Sequence, residues 1–241
     1  MRTITLSICL LLASSMKADC QKNPITDGAD PTDSPQVTLF LTSSGMGRSS
    51  EWLAPLLPFE PAGHTVCYIT TAAAFGGDTP DWMNHEIQSV ENLGFNVKRI
   101  DLTNLTSSDL AREFSNADLI WVGGGNTLYL LQEIRRTRFD TYVKKKISEG
   151  VPYVGVSAGS VIAGPDIGIE LYASKTPELP SYEGLNLFPY VTFVHFGNPE
   201  YKEIYRDILL YSLDVGLSFI TLRDNQFIYI HGDNWRVIDI E

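Results

Sequence analysis

The sequence predicts an α/β protein: a mostly parallel sheet covered by helices on both faces, with an antiparallel meander at the C-terminal end. Three observations carry this reading. From Val37 onward, short apolar runs alternate with stretches of helical period, the pattern of βαβ units. Two of those runs end in glycine-rich turns, at Gly123-Gly124-Gly125 and at Gly155-Val156-Ser157-Ala158-Gly159. Near the C-terminus, three short runs follow one another across tight polar turns.

Taken in order, Val37–Leu41 reads as the first strand, closed by Thr42-Ser43-Ser44-Gly45. Thr65–Ile69 and Asn96–Ile100 are the next two, with a helix over Asp81–Leu93 between them. A helix over Ser108–Phe114 leads to the strand Leu119–Val122. One long helix is expected over Thr127–Glu149. Leu128, Leu131, Ile134, Val143 and Ile147 recur there at about 3.6 residues, opposite Arg135, Arg136 and Lys144 to Lys146. Val151–Val156 is the fifth strand. After residue 165 the rhythm changes to a strand at Val191–Phe196 and a helix at Tyr201–Leu213. Phe219–Leu222, Phe227–Ile230 and Trp235–Ile240 then form the expected meander.

The N-terminus reads differently. Arg2, an apolar run from Ile4 to Ala13, and small and polar residues ending at Ala18 have the layout of a secretory signal, expected over 1–18. The run is shorter than the roughly 20 residues a membrane span needs. Residues 19–36 are rich in Pro, Asp, Gly and Thr and read as a disordered leader, leaving 37–241 as one domain. Secretion follows as an expectation. Cys9 would leave with the signal; Cys67, in an apolar strand, reads as a buried free thiol, with a disulfide to Cys20 in the leader as the alternative. Asn104-Leu105-Thr106 is a glycosylation sequon.

Composition narrows the function classes. Of 241 residues, 44% are hydrophobic and 20% charged, which excludes a disordered chain. Only 3 cysteines exclude a disulfide scaffold. A net charge of −11, becoming −13 if cleavage removes Arg2 and Lys17, argues against nucleic acid as a partner. It also disfavours acidic substrates unless a local cation offsets it.

The chemistry concentrates at Gly155-Val156-Ser157-Ala158-Gly159, a G-x-S-x-G elbow between a strand and a helix. A serine on so sharp a turn has strained backbone angles, so its flanks must be small. The following helix aims its first N–H groups at the same spot, where an oxyanion would develop. A nucleophilic serine needs a base. Of His64, His85, His195 and His231, only His195 closes a strand at the rim where ligands gather in an open α/β sheet. His64 reads as a loop residue, His85 as part of a solvated helix face, and His231 as a turn residue at the far edge. A carboxylate should orient the imidazole. Asp224, at a strand-to-turn junction, competes with Asp166, Glu200 and Asp233, and fits a turn-forming role equally well. In Gly123-Gly124-Gly125-Asn126-Thr127, Asn126 or Thr127 can cap the helix. The glycine N–H groups suit an oxyanion or a substrate carboxylate. The cluster lacks the Lys-Ser/Thr of a phosphate loop and breaks G-x-G-x-x-G at Leu128. No His-Glu-x-x-His and no ligand-spaced cysteines occur, so neither metal nor cofactor is expected.

The segments VGGGNTLYLLQEI at 122–134 and GVSAGSVIAGPDI at 155–167, with their order and separation, resemble the S51 serine peptidases. That is the family of dipeptidase E and cyanophycinase. The resemblance extends over residues 37–241. It implies a fold like class I glutamine amidotransferases, a flavodoxin-like three-layer α/β/α sandwich with serine at the elbow. It also implies Ser157 as nucleophile, His195 as base and Asp224 as the acid. The N–H groups of Ala158 and Gly124, with Gly125 and Asn126 beside them, would bind the oxyanion and substrate. One stretch departs from the family. Aspartyl-specific members carry Gly-His-x-Gly-Glu-Thr-Arg after the histidine, and its arginine is implicated in binding the substrate aspartate. Here the stretch reads Phe196-Gly197-Asn198-Pro199-Glu200-Tyr201-Lys202, leaving Lys202, or Arg206 one turn later, to supply a cation.

The expectation is a serine exopeptidase or dipeptidase acting on small peptides, extending to an aspartyl dipeptidase-like enzyme, as a monomer or homodimer. A cyanophycinase-like hydrolase, an esterase with the same elbow, and a non-catalytic binding protein on the same fold are the alternatives.

Overall fold

The computed structural model describes residues 35–45, 50–77, 80–173 and 177–240. The expected signal segment and nearly all of the expected leader lie outside the described residues.

Five parallel strands form the centre of the sheet: β1 (Thr38–Thr42), β2 (Thr65–Ile69), β3 (Asn96–Ile100), β4 (Leu119–Val122) and β5 (Tyr153–Val156). The hairpin β8 (Gln226–His231) and β9 (Asn234–Asp239) joins β1 antiparallel, giving the order β3-β2-β4-β5-β1-β8-β9. Between β2 and β3 lies α2 (Asp81–Asn92), and the short α1 (Ser50–Leu53) precedes β2. The short α3 (Leu110–Glu113), then α4 (Thr127–Thr137), α5 (Phe139–Ser148) and α6 (Ala158–Val161), follow β3, β4 and β5. A separate parallel pair, β6 (Val191–Phe193) and β7 (Phe219–Thr221), flanks α7 (Lys202–Val215).

The period-two side-chain rule builds the layers. Leu39, Leu41, Cys67, Ile69, Ile120 and Val122 face one side and pack against Leu128, Leu131, Ile134, Val143 and Ile147 of α4 and α5. Their neighbours Phe40, Val66, Tyr68, Trp121, Val154 and Val156 face the other side, against Met83, Ile87 and Val90 of α2. Strands buried on both faces explain why these runs read as continuously apolar. Cys67 is a buried free thiol, and burial pushes its pKa up to about 11.

Three elements depart from the sequence reading. The single helix over Thr127–Glu149 is two helices, because Arg138 adopts a left-handed conformation with φ of 63° and caps α4. The break rotates the second apolar stripe so that Phe139 is fully buried, 5.3 Å from Phe114. No glycine or proline marks it. The helix over Ser108–Phe114 shrinks to α3, since Asp109 instead accepts the Thr106 N–H and hydroxyl at 2.9 and 2.6 Å, fixing a turn. The three-strand meander is only the β8–β9 hairpin. Phe219–Thr221 pairs in parallel with β6, where Leu222 N–H also bonds the Phe193 carbonyl at 2.8 Å.

Candidate active site

Ser157 stands at the junction of β5 and α6 with φ 48° and ψ −106°, a region costly to a residue bearing a side chain. Its surroundings over-determine that conformation. The Ser157 N–H bonds the Thr42 carbonyl at 3.0 Å. Ser160 Oγ donates within 2.7 Å of both the Thr42 and Gly155 carbonyls, tying the turn to β1. A Cβ on Gly155 would collide with the Gly159 backbone, and one on Gly159 with the Val122 carbonyl oxygen. The glycines of the elbow are therefore packing requirements.

His195 follows β6, also with positive φ, at 56°. Its Nε2 lies 3.0 Å from Ser157 Oγ, and its Nδ1 lies 2.6 Å from Asp224 Oδ1. Asp224 sits in the turn between β7 and β8, and its side chain is 45% exposed. Asp166, by contrast, accepts the Gly168 N–H, so the structure brings Asp224 and not Asp166 to the imidazole.

The structure adds groups that the sequence reading did not single out. Ser43, just beyond β1 and fully buried, accepts the His195 N–H at 2.6 Å and donates to Asp224 Oδ1 at 3.1 Å. It fixes the His195 backbone and the Asp224 carboxylate at once. The Tyr201 ring stacks on His195 with centroids 5.1 Å apart, and Tyr205 Oη donates to the His195 carbonyl. Glu170 accepts a 2.9 Å bond from Thr127, and desolvation raises its pKa against the opposing pull of that bond and of His195. Ser43 was legible in principle, since it closes a strand at the same rim as Ser157.

Gly124 is packed against Ser157: a Cβ built on it would lie 3.3 Å from Ser157 Cβ. Among the described residues, neither the Gly124 nor the Ala158 N–H is spent on a backbone acceptor. Gly125, with φ of 130°, abuts Ala72 so closely that a Cβ would collide with its carbonyl. Asn126 serves the helix rather than the cleft surface: its side chain accepts the Tyr129 N–H at 2.9 Å as the cap of α4. Lys202 departs from expectation. It is exposed on the first turn of α7, and from this stretch Tyr201 lines the cleft instead. Arg206 is exposed and paired with Asp207 at 3.2 Å. Both lie at exposed positions of α7, which also exposes Leu210, Leu213 and Val215 toward its C-terminal end.

The cleft beside Ser157 has a volume of about 520 Å³, with Gly124, Gly125, Val156, His195, Trp82 and Glu86 among its walls. His85 also reaches it, from the exposed side of α2, while His64 stacks on Phe59 and His231 bonds Thr38.

A strained serine in hydrogen-bond reach of a histidine, on a parallel α/β sheet, defines a site of the serine hydrolase class. Sequence comparison narrows the class. The model of peptidase family S51 matches residues 39–238, and the chain belongs to that family, a family of serine peptidases. An uncharacterized peptidase of Listeria monocytogenes is 34% identical over 177 residues, covering 71% of this chain and 83% of the relative. Peptidase E of a Shewanella species (strain W3-18-1) is 29% identical over 163 residues, 66% of each chain. The crystal structure of a candidate Peptidase E protein from Listeria monocytogenes EGD-e superimposes with a TM-score of 0.76 at 27% identity. It covers 86% of this chain and 100% of its own.

Proposed function

We propose that this chain is a serine dipeptidase in which Ser157 is the nucleophile, His195 the base and Asp224 the orienting acid. The observation that carries this reading is the unbroken relay from Ser157 Oγ to His195 Nε2 at 3.0 Å and from His195 Nδ1 to Asp224 at 2.6 Å. Ser157 Oγ attacks the scissile carbonyl while His195 takes its proton, and Asp224 stabilises the imidazolium that forms. The oxyanion develops against the N–H groups of Gly124 and Ala158. His195 then returns the proton to the leaving amine, and water, activated by the same imidazole, hydrolyses the acyl-enzyme.

The Peptidase E name of the Shewanella relative supports a peptide substrate. A panel of dipeptides and short esters tests the reading. Dipeptides should be hydrolysed in preference to esters, and Ser157→Ala should lower kcat by at least about 10³-fold. Full activity in that variant would refute the assignment.

A further inference from the structure

The cleft holds a second built feature that the hydrolytic relay does not use. Glu86 lies one turn beyond Trp82 on α2 and is only 5% exposed. Its Oε1 accepts two buried donors, Tyr68 Oη at 2.7 Å and Trp121 Nε1 at 2.8 Å. Those donors are register partners on β2 and β4, and their rings stack with centroids 6.0 Å apart. Two aromatic side chains thus hold the carboxyl in one orientation.

The other oxygen, Oε2, has no protein hydrogen-bond partner among the described residues, and no lysine or arginine among them pairs with the carboxyl. A buried carboxylate without a cation is expensive to keep. Gly45 leaves this oxygen uncovered, because a Cβ there would come within 2.7 Å of it. Both Gly45 and Glu86 face the cleft that contains Ser157. Trp82, 47% exposed, supplies an aromatic wall to the same cleft. Carboxylate and indole together are the chemistry that recognises an ammonium. Among the described lining residues there is no lysine or arginine to compete for the carboxylate.

We infer that Glu86 is a specificity-determining residue whose Oε2 accepts a primary ammonium of the peptide substrate, with the Trp82 ring beside that ammonium. Calling the ligand a substrate rests on the dipeptidase reading; the binding site itself does not. The ammonium has two sources, the α-amino group of a free N-terminus or a lysine side chain.

The test is calorimetric binding to the Ser157→Ala protein, which is not expected to turn its ligands over. The probes are L-alanyl-L-alanine, its N-acetyl derivative and N-acetyl-L-lysyl-L-alanine. Alanyl-alanine should bind roughly 10- to 100-fold more tightly than its N-acetyl derivative, the worth of one charge-assisted hydrogen bond. Adding Glu86→Gln should reduce that ratio to about 2 or less. The glutamine keeps an acceptor for Tyr68 and Trp121 and presents an N–H₂ to the ammonium. A preference confined to the lysyl compound, and lost in Glu86→Gln, assigns the side-chain ammonium and upholds the inference equally. Trp82→Leu, at an exposed position, should weaken amine binding roughly 2- to 5-fold. The inference is overturned if none of the probes binds, if Glu86→Gln leaves the discrimination intact, or if it weakens all three ligands alike. Failure of the native chain to hydrolyse dipeptides would overturn the dipeptidase reading alone.

Discussion

The two halves of the site are built by opposite means. The serine half rises from the centre of the sheet, between β5 and α6, where Gly155 and Gly159 permit contacts that no other residue could make. The histidine half is carried by the separate β6–β7 pair and the turn before β8, with side-chain exposures of 21% for His195 and 45% for Asp224. Steric necessity holds Ser157, whereas hydrogen bonds with Ser43, Asp224 and Tyr205 hold His195. Damage to the first half should appear as lost folding, and damage to the second as lost rate.

Asp224→Asn offers the largest separation of the two. It removes the charge opposite the imidazolium and should lower kcat by roughly 10²- to 10⁴-fold. The melting temperature should hardly move, because exposed ion pairs contribute little to stability. Steady-state kinetics beside a thermal melt reads both. Gly159→Ala should do the reverse. Its Cβ meets the Val122 carbonyl, and overpacking of this kind costs about 1–3 kcal/mol or more, visible as a lower denaturation midpoint or insoluble protein. An unchanged midpoint would contradict the steric account of the elbow.

Ser43→Ala probes the histidine half more gently. It deletes the acceptor of the His195 N–H and one donor to Asp224, so kcat should fall about 10-fold with KM nearly constant. Equal loss in a variant remote from the site would remove Ser43 from the account.

The smallest effect concerns Glu86, the carboxylic acid in the cleft wall. Desolvation raises the Glu86 pKa, against the opposing hydrogen bonds from Tyr68 and Trp121. Between its unfolded and folded pKa values the folded form therefore binds more protons than the unfolded one. Stability falls as pH rises through that window and stays lower above it. Glu86→Gln should match the native chain at about pH 4 and melt higher at about pH 8, by roughly 2–4 °C for each kcal/mol relieved. A lower melting temperature at the higher pH would contradict the desolvation argument.

Legibility in the sequence divides along the same line. The elbow and the Gly123–Gly125 turn were readable because their geometry is local: small residues sit where a strand becomes a helix. His195 was readable from its place at a strand end. Tyr201 and Glu86 were not, because their roles depend on which elements become neighbours. Glu86 in particular lies mid-helix and acquires its partners from β2 and β4. The parallel core was legible from its doubly buried runs, while the break at Arg138 was not, since a tertiary contact of Phe139 overrides an uninterrupted helical pattern. Phe219–Thr221 departs from the expected meander for a related reason. Short strands with tight turns suggest a meander, but the pairing is decided by β6, far away in sequence.

The central claim is that Ser157 is a nucleophile activated by His195. Labelling the native protein with a fluorophosphonate and locating the adduct by peptide mass spectrometry tests it most directly. The adduct should sit on Ser157, vanish in Ser157→Ala, and form at least about 10²-fold more slowly in His195→Ala. An adduct on another residue, or none on correctly folded protein, would contradict the account.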